Sequence, residues 1–373
     1  MRTRRTLLAS GVAGLAGVAG CASLSPGRRV GDERGDPNAA DVDARLGFVG
    51  DLMLGRSVNE RWADADPTDV WGSTLPRLET LDGLVGNLEC CVSDRGAEWP
   101  DKTYRFRADP AFAVPALEAA DASFVSLANN HVLDYSEPAL RDTRTHLTDA
   151  DVAHAGAGSD QAAALKPATF EAGDVTVAAF GLTDQSQAFA ATPAGPGTAF
   201  ATLDPTAAAT RTLVEGILED ARAHDPDLVV ASLHWGPNWE TEPRRVHERF
   251  GRWLVDQGVD VVHGHSAHVL QGVEVYRERP IIYDAGDFVD DYVSYVDREG
   301  VHNKRSALFE LVVRDGDLDE VRVEPTAIAD EAATLADSEV AAWVRDTVAE
   351  RSAAFGTEVD RSDGRLTIPL GED

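Results

Sequence analysis

Short apolar runs alternate with longer amphipathic segments from Arg45 to about Pro325 of this chain. Apolar runs of roughly four to eight residues are typical of buried strands, and amphipathic stretches of about ten or more are typical of helices. A chain that alternates the two builds an α/β protein. The sequence therefore predicts an α/β fold.

The order of the predicted elements indicates how the sheets are arranged. Predicted helices, several beginning near a proline, are Trp71 to Leu81, Pro110 to Ala120, Pro138 to Ala150, Pro205 to Ala223 and Pro243 to Gln257. Predicted strands include Val175 to Phe180, Gln271 to Tyr276, Ile281 to Tyr283, Ala307 to Val313 and Val321 to Glu324. The late strands have short connections without helices, so they should pair antiparallel. We therefore expect two mixed β-sheets packed face to face with helices outside, in four layers, rather than one doubly wound parallel sheet.

Five short polar signatures each follow a predicted strand. They are Gly50-Asp51, Asn87-Leu88-Glu89, Asn129-Asn130-His131, His234-Trp235-Gly236 and Gly264-His265-Ser266-Ala267-His268. Side chains delivered from successive strand ends can converge on one rim of a sheet, where open α/β folds place their sites. Carboxylate and imidazole groups together suit Zn, Mn or Fe ions. The sequence therefore predicts a metal centre at this rim.

The charge balance constrains the environment and the partners of the protein. The formal net charge is −30, and only three of the 34 basic residues are lysines. Such an acidic excess is typical of proteins that work in high salt, where screening suppresses self-repulsion. We expect a solvated, halophilic surface. Because the sequence has no basic stripe that would displace counterions, it argues against nucleic acid as a partner.

The N-terminal residues resemble an export signal. Basic residues precede an apolar run from Leu7 to Gly20, which is too short to span a membrane. Thr3 to Leu8 resembles a twin-arginine signal, and Val18 to Cys21 resembles a lipobox, in which Cys21 is lipidated and becomes the mature N-terminus. A plain secretory signal with an incidental Cys21 is the alternative. We expect an extracytoplasmic protein, tethered to the membrane by a lipid anchor and a linker over residues 22–44.

The three cysteines predict no disulfide framework. Cys21 belongs to the lipobox, and Cys90 and Cys91 are adjacent, so a bridge between them would close a strained ring. Two small buried thiols are the expected state. Because the pair directly follows Glu89, a thiolate metal ligand remains an alternative.

Taken with their flanks, the polar signatures resemble the CapA family, which is named for capsule and poly-γ-glutamate synthesis. This family is similar to the calcineurin-like metallophosphoesterases in fold and motif order, which implies a metallophosphatase-like αββα sandwich. The matching segments are Gly50 to Gly55, Asn87 to Glu89, Ala128 to Tyr135, His234 to Trp239, Gly264 to His268, Gln271 to Tyr276 and Pro280 to Phe288. The likeness runs in unbroken order from Leu46 to Tyr292.

The resemblance implies one or two divalent ions, of Mn, Zn or Fe. Their ligands would be Asp51, Glu89, Asn130, His234, His265 and His268. Asp51 and His268 would hold the first ion, and Glu89 would take the place of the bridging carboxylate. The second ion would be bound by Asn130, His234 and His265. Two such ions clamp an anionic substrate and activate water between them.

The resemblance also implies a catalytic histidine and a set of substrate contacts. His131 would lie near the leaving group, as a general acid or as an electrostatic partner of the scissile group. Asp134 follows His131 by three residues and is close enough to orient its ring. The expected substrate-binding residues are Lys102, Arg105, Arg107, Trp235 and Asp287. The arginine and lysine side chains suit a carboxylate or phosphate group. Trp235 either lines the pocket or packs beneath it. For Asp287, the alternative is membership of a solvated acidic cluster.

One departure from the phosphoesterase pattern bears on the activity. The phosphoesterases usually have a histidine two residues after the first aspartate, and here that residue is Met53. The first metal position is therefore short of a ligand, and phosphoesterase activity does not transfer to this chain on resemblance alone.

Together these features predict a protein of four regions with a metal-dependent activity. The regions are a signal peptide at 1–21, a linker at 22–44, a CapA-type domain at 45–325 and a helical tail at 326–373. The expected function is a metal-dependent hydrolase or transferase linked to synthesis or processing of an anionic polymer such as poly-γ-glutamate, in contact with a capsule-synthesis membrane complex. A non-catalytic accessory protein for polymer export or anchoring is the first alternative, and a metallophosphoesterase is the second.

Overall fold

The computed structural model describes residues 42–294 and 300–371, and it contains both strands and helices throughout. The strands are β1 (Ala44–Leu52), β2 (Gly83–Leu88), β3 (Cys91–Val92), β4 (Arg107–Ala108), β5 (Ala122–Ser126), β6 (Ala153–Ala155), β7 (Ala157–Gly158), β8 (Ala168–Ala172), β9 (Val175–Thr183), β10 (Gly197–Thr198), β11 (Leu228–His234), β12 (Val261–His265), β13 (Val273–Tyr276), β14 (Arg279–Ile282), β15 (Asp287–Val289), β16 (Arg305–Arg314), β17 (Asp317–Ala329), β18 (Ala332–Leu335) and β19 (Leu366–Pro369). The α-helices are α1 (Arg56–Trp62), α2 (Leu75–Leu78), α3 (Pro110–Ala119), α4 (Ser136–Asp149), α5 (Gln161–Leu165), α6 (Ala208–Arg222), α7 (Arg245–Asp256) and α8 (Ser338–Ala353). Short 3-10 helices span Pro67–Thr74, Gln187–Phe189 and Ser362–Gly364.

Two large sheets form the centre of the fold. The nine-stranded sheet has the order β18-β17-β16-β1-β2-β5-β6, with β15 also paired to β1 and β19 to β17. The six-stranded sheet has the order β13-β14-β12-β11-β9-β8. Within them, β1, β2, β5 and β6 run parallel to one another, as do β9, β11, β12 and β14. The late pairs β13–β14 and β16–β17 are antiparallel, as their short connections predicted, and the pair β17–β18, which was not predicted, is antiparallel too.

The two sheets pack face to face, and helices α3, α4, α6 and α7 cover their outer faces. Phe48 of β1 and Val230 of β11 belong to one buried apolar cluster between the sheets. Because successive strand residues point to opposite faces, Val49 instead packs in a second cluster with helices α3 and α4. Leu233 of β11 packs in a third cluster with α6 and α7. The predicted α/β fold of mixed sheets with helices outside is confirmed.

The prediction of one helix over Trp71 to Leu81 was wrong. The chain forms a 3-10 helix over Pro67–Thr74 and a separate short helix, α2. The break lies at Gly72, whose φ of 42° and ψ of −130° are non-helical. A Cβ at Gly72 would lie 2.6 Å from the carbonyl oxygen of Ala333, so the close approach of β18 requires glycine there.

The C-terminal region, expected as a helical tail at 326–373, contains strands as well as a helix. It includes the end of β17, then β18, α8 and β19, and β19 pairs with β17 along the edge of the large sheet. Val344 and Val348 of α8 lie in the buried cluster between the sheets. These segments are part of one compact unit, Asp41–Asp373. None of the described helices is long and apolar enough to cross a membrane, and the predicted signal and Cys21 lie outside the described residues.

Candidate metal centre

The polar signatures meet where parallel strands of both sheets reach their carboxyl ends. Asp51 is the second-to-last residue of β1, Glu89 follows β2, and His131 lies beyond β5. His234 and His265 are the last residues of β11 and β12 and are directly paired in the register of the six-stranded sheet. All five are at most 3% exposed. The rim predicted from the sequence is therefore a buried centre between the two sheets.

A close approach of two backbones brings a further carboxylate to this centre. A Cβ at Gly50 would lie 1.7 Å from the carbonyl oxygen of Gly286, so this contact requires glycine. The amide of Asp51 donates to that oxygen at 3.1 Å. The short strand β15 then runs parallel to β1, and Asp287 is in register with Asp51.

Asp51 is the central carboxylate, and its two oxygens face different histidines. Its Oδ1 lies 3.5 Å from Nδ1 of His265 and 4.0 Å from Nδ1 of His234. Its Oδ2 lies 3.2 Å from Nδ1 of His268. Two sets of potential ligand atoms result, each within 4.8 Å of one another: Asp51 with His234 and His265, and Asp51 with His268 and Asp287. Asp51 is common to both.

A chain of amides fixes the orientation of Asp51. Nδ2 of Asn129 donates to Oδ1 of Asn87 at 3.0 Å, and Nδ2 of Asn87 donates to Oδ1 of Asp51 at 2.7 Å. The predicted ligand Asn130 contacts the other side of the centre, because its Oδ1 lies 3.1 Å from Nε2 of His234. Asn87 and Asn129 belong to the motifs in the sequence, but their orienting role depends on contacts between strands that the sequence does not display.

Glu89 is buried without the partners that a carboxylate needs. It is 0% exposed, and neither of its oxygens accepts a hydrogen bond from any described residue. Oε1 lies 3.7 Å from Nε2 of His131 and 3.7 Å from Nε2 of His234. Burial, followed by the nearby Asp51 carboxylate, raises the pKa of Glu89 well above its usual value. An unpaired buried carboxylate is costly, and a cation bound between these groups would remove that cost.

The histidines around Asp51 differ in their protonation. Burial lowers the pKa of His234 to about 3 and holds the pKa of His265 well below its ordinary value. Both rings are therefore neutral near pH 7, which is the form that binds a metal ion. Burial opposes ionisation of His268 as well, but the adjacent Asp287 carboxylate raises its pKa well above the ordinary value. His268 also has a positive φ of 59°, an uncommon backbone state for a histidine.

A hydrogen-bonded relay behind His265 determines which of its nitrogens faces the centre. Nε2 of His263 lies 2.8 Å from the carbonyl oxygen of Val49, which can only accept, so this nitrogen carries the proton. Nδ1 of His263 then accepts from the Ser232 hydroxyl at 3.2 Å, and the Ser232 oxygen accepts from Nε2 of His265 at 2.9 Å. The lone pair on Nδ1 of His265 therefore points at Asp51. Ser232 and His263 were not predicted as site residues from the sequence, although each precedes a predicted ligand by two residues and so lies on the same face of its strand.

His131 is held in a pocket next to these ligands. Its Nδ1 lies 2.6 Å from Oδ2 of Asp134, and the Lys102 ammonium group hydrogen-bonds to Oδ1 of the same carboxylate. The ring stacks on Phe106 with centroids 3.8 Å apart. Burial and the nearby Lys102 charge lower the pKa of His131 well below its usual value, so the ring is neutral and Nε2 accepts protons on the side facing Glu89. Burial raises the pKa of Asp134 to about 6.

The predicted substrate-binding residues occupy four different surroundings. Lys102 lies beside His131, at 3.1 Å from its Nδ1. Arg105 and Arg107 line an adjoining groove of about 730 Å³ that Arg56 and Tyr135 also line. Trp235 is 2% exposed and donates to the carbonyl oxygen of Tyr283 at 2.8 Å, so it packs beneath the centre. Asp287 lies inside the centre, with its Oδ1 at 2.7 Å from Nδ1 of His268.

Aromatic side chains pack against the His268 side of the centre. The rings of Trp239 and Tyr292 lie 5.2 and 5.0 Å from the ring of His268, and 5.3 Å from each other. The 185–203 segment, predicted as a flap or a connection, lies on the His131 side through Phe189, whose ring is 5.1 Å from Nζ of Lys102. Tyr292 and Phe189 were not predicted as site residues, because neither lies in a recognisable motif.

Cys90 and Cys91 are buried free thiols, as expected. Sγ of Cys91 donates to the carbonyl oxygen of His131 at 3.3 Å. Burial raises the pKa of Cys91 to about 12, so the group remains a thiol at neutral pH. Neither cysteine belongs to the two sets of potential metal ligands found among the described residues.

Comparison with known proteins identifies a matching family and several similar proteins. A sequence model of the family described as bacterial capsule synthesis protein PGA_cap matches residues 45–292. A Mycobacterium tuberculosis protein named "Probable polyglutamine synthesis accessory protein" is 32% identical over 314 residues, which cover 80% of this chain and 80% of that protein. The capsule biosynthesis protein CapA of Bacillus anthracis is 31% identical over 274 residues, covering 72% of this chain and 63% of the relative. The PGA biosynthesis protein CapA of Bacillus subtilis is 30% identical over 247 residues, covering 65% and 62%. The aligned region thus spans somewhat less than two thirds of the two Bacillus proteins.

Proposed function

Because this chain belongs to the bacterial capsule synthesis protein family PGA_cap, also called CapA, we propose that it is a metal-dependent hydrolase or transferase. Its substrate would be poly-γ-glutamate or a related anionic polymer, during synthesis or processing. Family membership confirms the resemblance predicted from the motifs and supports a link to capsule or polyglutamate synthesis. The metal chemistry and the reaction are the parts proposed here.

The unpaired carboxylate of Glu89 is the observation that carries this proposal. Both oxygens are buried without a partner among the described residues, beside the neutral imidazoles of His131 and His234. A structural role would pair such a group with a hydrogen-bond donor. A set of buried carboxylates and neutral imidazoles suits Mn, Zn or Fe ions. The residues present therefore fit a divalent metal centre.

The protein groups around Glu89 have separate tasks in such a centre. Asp51, Glu89, Asn130, His234, His265 and His268 would hold the metal, while Asn87 and Ser232 fix the orientation of two ligands. A bound divalent ion polarises the scissile group and lowers the pKa of water. His131, neutral and with Nε2 directed toward the centre, accepts a proton and returns it to the leaving group. Asp134 holds the ring and stabilises its protonated form.

The basic groups beside the centre support an anionic substrate. In a chain with a net charge of −30, Lys102 lies next to His131, and Arg56, Arg105 and Arg107 line the adjoining groove. The Arg56 guanidinium packs 4.7 Å from the ring of Phe106, whose ring also stacks on His131. Phe106 thus contacts both an arginine of the groove and the proposed catalytic histidine. Four carboxylates line the groove as well: Glu60, Asp94, Asp109 and Asp291. Carboxylates along a polymer would bind to the basic groups.

The proposal includes a location outside the cytoplasmic membrane. Support comes from the sequence alone: the twin-arginine-like signal and the lipobox at Cys21. A lipid anchor would hold the enzyme at the surface where capsule polymer emerges, next to a capsule-synthesis membrane complex.

The test measures metal and turnover in the same preparations. The parent, His234→Ala and His265→Ala would be purified in molar salt and analysed for metal content, with the exposed His224→Ala as the matched control. We expect bound divalent metal in the parent and the control and a sharp loss in the two centre variants, because each removes a ligand that the others cannot replace. Full occupancy in both centre variants would contradict the metal centre.

Activity assays separate the alternatives. The parent is expected to cleave or transfer γ-glutamyl polymer or peptides. Bound metal without turnover of any substrate would favour a non-catalytic accessory protein, an alternative supported by the name of the mycobacterial relative. Hydrolysis of phosphoesters alone would favour a metallophosphoesterase.

A further inference from the structure

The two potential ion positions in the centre are unequally supplied with ligands. His234, His265 and Asn130 surround one side of Asp51. On the other side, the predicted ligands are Asp51, His268 and the carboxylate of Glu89 expected to bridge both ions. Met53 follows Asp51 by two residues, but its side chain is 1% exposed and packs in the apolar cluster beneath α3 and α4. The position next to His268 therefore needs another donor.

Asp287 lies where that donor is needed. It is fully buried, in register with Asp51 on the neighbouring parallel strand, and its ligand atoms lie within 4.8 Å of those of Asp51 and His268. Its Oδ1 pairs with Nδ1 of His268 at 2.7 Å. Its Oδ2 is buried and has no hydrogen-bond partner among the described residues.

We propose that Asp287 is a ligand of the first metal ion, and that Asp51 is shared between two ions, one held with His268 and Asp287 and the other with His234 and His265. This inference rests on the proposed metal centre and deepens it, because it assigns two ions and names the carboxylate that joins them. The sequence had suggested Glu89 for the joining role and Asp287 for substrate contact.

The geometry distinguishes a ligand from a mere orienting partner. A carboxylate that only orients a ligating histidine bonds to the ring nitrogen that does not face the metal. Oδ1 of Asp287 instead approaches Nδ1 of His268, the nitrogen that lies 3.2 Å from Oδ2 of Asp51. The second oxygen then remains buried and unpaired, a state that a protein normally avoids. The neighbouring Asp290 also has one unpaired buried oxygen, but the Lys304 ammonium group compensates its charge through a hydrogen bond to the other. The Lys304 charge acts on Asp287 as well, but it makes no hydrogen bond to Oδ2, which is left without a partner among the described residues, so a divalent cation is the group that would complete it.

The decisive experiment is a titration with Mn²⁺ alone, followed by calorimetry and by electron paramagnetic resonance. We expect the parent to bind two Mn²⁺ per chain and to give an exchange-coupled spectrum, because two ions that share a carboxylate are close together. Asp287→Asn is expected to bind one ion and to give the spectrum of an isolated Mn²⁺. The lost position should weaken by more than about 100-fold, beyond the roughly 10- to 100-fold loss typical when only a partner of a ligand is removed.

Asp291→Asn is the matched control. It removes the same charge four residues away, but Asp291 binds Arg56 and belongs to neither set of ligands. The control should keep two ions and the coupled spectrum.

The remaining outcomes separate this inference from the proposed function. Two ions and a coupled spectrum in Asp287→Asn would overturn the inference, whatever the change in affinity, and leave the metal centre standing. One ion in both the parent and Asp287→Asn would overturn it in the same way. No bound ion in the parent would overturn the inference and the metal centre together. If Asp287→Asn does not fold, the parent alone decides, because an uncoupled spectrum at two equivalents excludes a shared Asp51.

Discussion

Nδ1 of His131 lies 2.6 Å from Oδ2 of Asp134, and the ring is thereby turned so that Nε2 lies 3.7 Å from Oε1 of Glu89. The carboxylate fixes both the orientation of the ring and the nitrogen that carries its proton. The opposite nitrogen is left to accept a proton on the side of the metal centre.

Replacing His131 should separate proton transfer from metal binding. We expect His131→Ala to retain near-normal metal content while activity falls by about two to four orders of magnitude, which is the usual contribution of a general acid or base. Asp134→Asn should show a weaker form of the same defect. Metal analysis and turnover on γ-glutamyl substrate would be measured together, with His146→Ala on the outer helix α4 as control. Loss of metal in His131→Ala would instead make His131 a ligand.

The buried Asp134 should make stability depend on pH. Burial raises the pKa of its carboxyl from 3.8 to about 6, so the folded state holds this proton more tightly than the unfolded chain. The unfolding free energy of the parent should therefore decline from about pH 4 to about pH 6, by up to about 3 kcal/mol, and level off above that. Asp134→Asn should lack this component. Denaturant unfolding across the range checks it, and parallel curves for the two proteins would contradict the raised pKa.

Ser232 should influence metal affinity without touching the metal. Ser232→Ala removes the acceptor for Nε2 of His265, so the ring no longer presents Nδ1 to the centre in a single state. We expect metal affinity to fall by about 10- to 100-fold and Ser232→Thr to restore it. Ser352→Ala is the control, because that buried hydroxyl accepts from the Val273 amide away from the centre. Unchanged affinity in Ser232→Ala would remove the relay from the mechanism.

Folding should require molar salt. With a net charge of −30, self-repulsion destabilises the compact state unless ions screen it. The midpoint of thermal unfolding is expected to rise steeply from dilute to molar KCl. Sucrose solutions serve as the comparison, because sucrose favours burial without screening charge. A midpoint that KCl leaves unchanged would disprove the prediction.

Cys21 should determine where the mature protein resides. Two acyl chains suffice for stable membrane anchoring, so Cys21→Ser is expected to release the protein to the medium or to leave its precursor uncleaved. Cell fractionation with mass determination of the product checks this. Cys90→Ser, which alters a buried thiol, should leave the location unchanged. A membrane-bound Cys21→Ser protein of parental mass would show that another segment holds it.

The sequence predicted the parts of the centre that depend on local pattern. His234 and His265 end strands whose apolar residues mark them clearly, and the strand register then places the two rings side by side. The prediction of a helix over Trp71 to Leu81 failed for a non-local reason, because the strand β18 packs against Gly72 and requires a non-helical backbone there.

The remaining parts of the centre depend on contacts between distant segments. The strand β15 has only three residues, too few to show a period, so the pairing that brings Asp287 to Asp51 is invisible in the sequence. The relay from Ser232 through His263 ends on Val49 in the other sheet, and no pattern along one strand reveals such a partner. The one signal available in the sequence was that Ser232 and His263 each lie two residues before a predicted ligand.

The hydrogen bond from His263 to Val49 joins the two sheets at the level of the centre. Ligands enter that centre from both sheets, Asp51 and Glu89 from one and His234 and His265 from the other. Packed layers move chiefly by small sliding displacements, and such a slide would change the distances among these four groups directly. Metal binding and the resistance of the two sheets to sliding are therefore coupled. A bound ion would oppose sliding, and contacts that oppose sliding would favour metal binding.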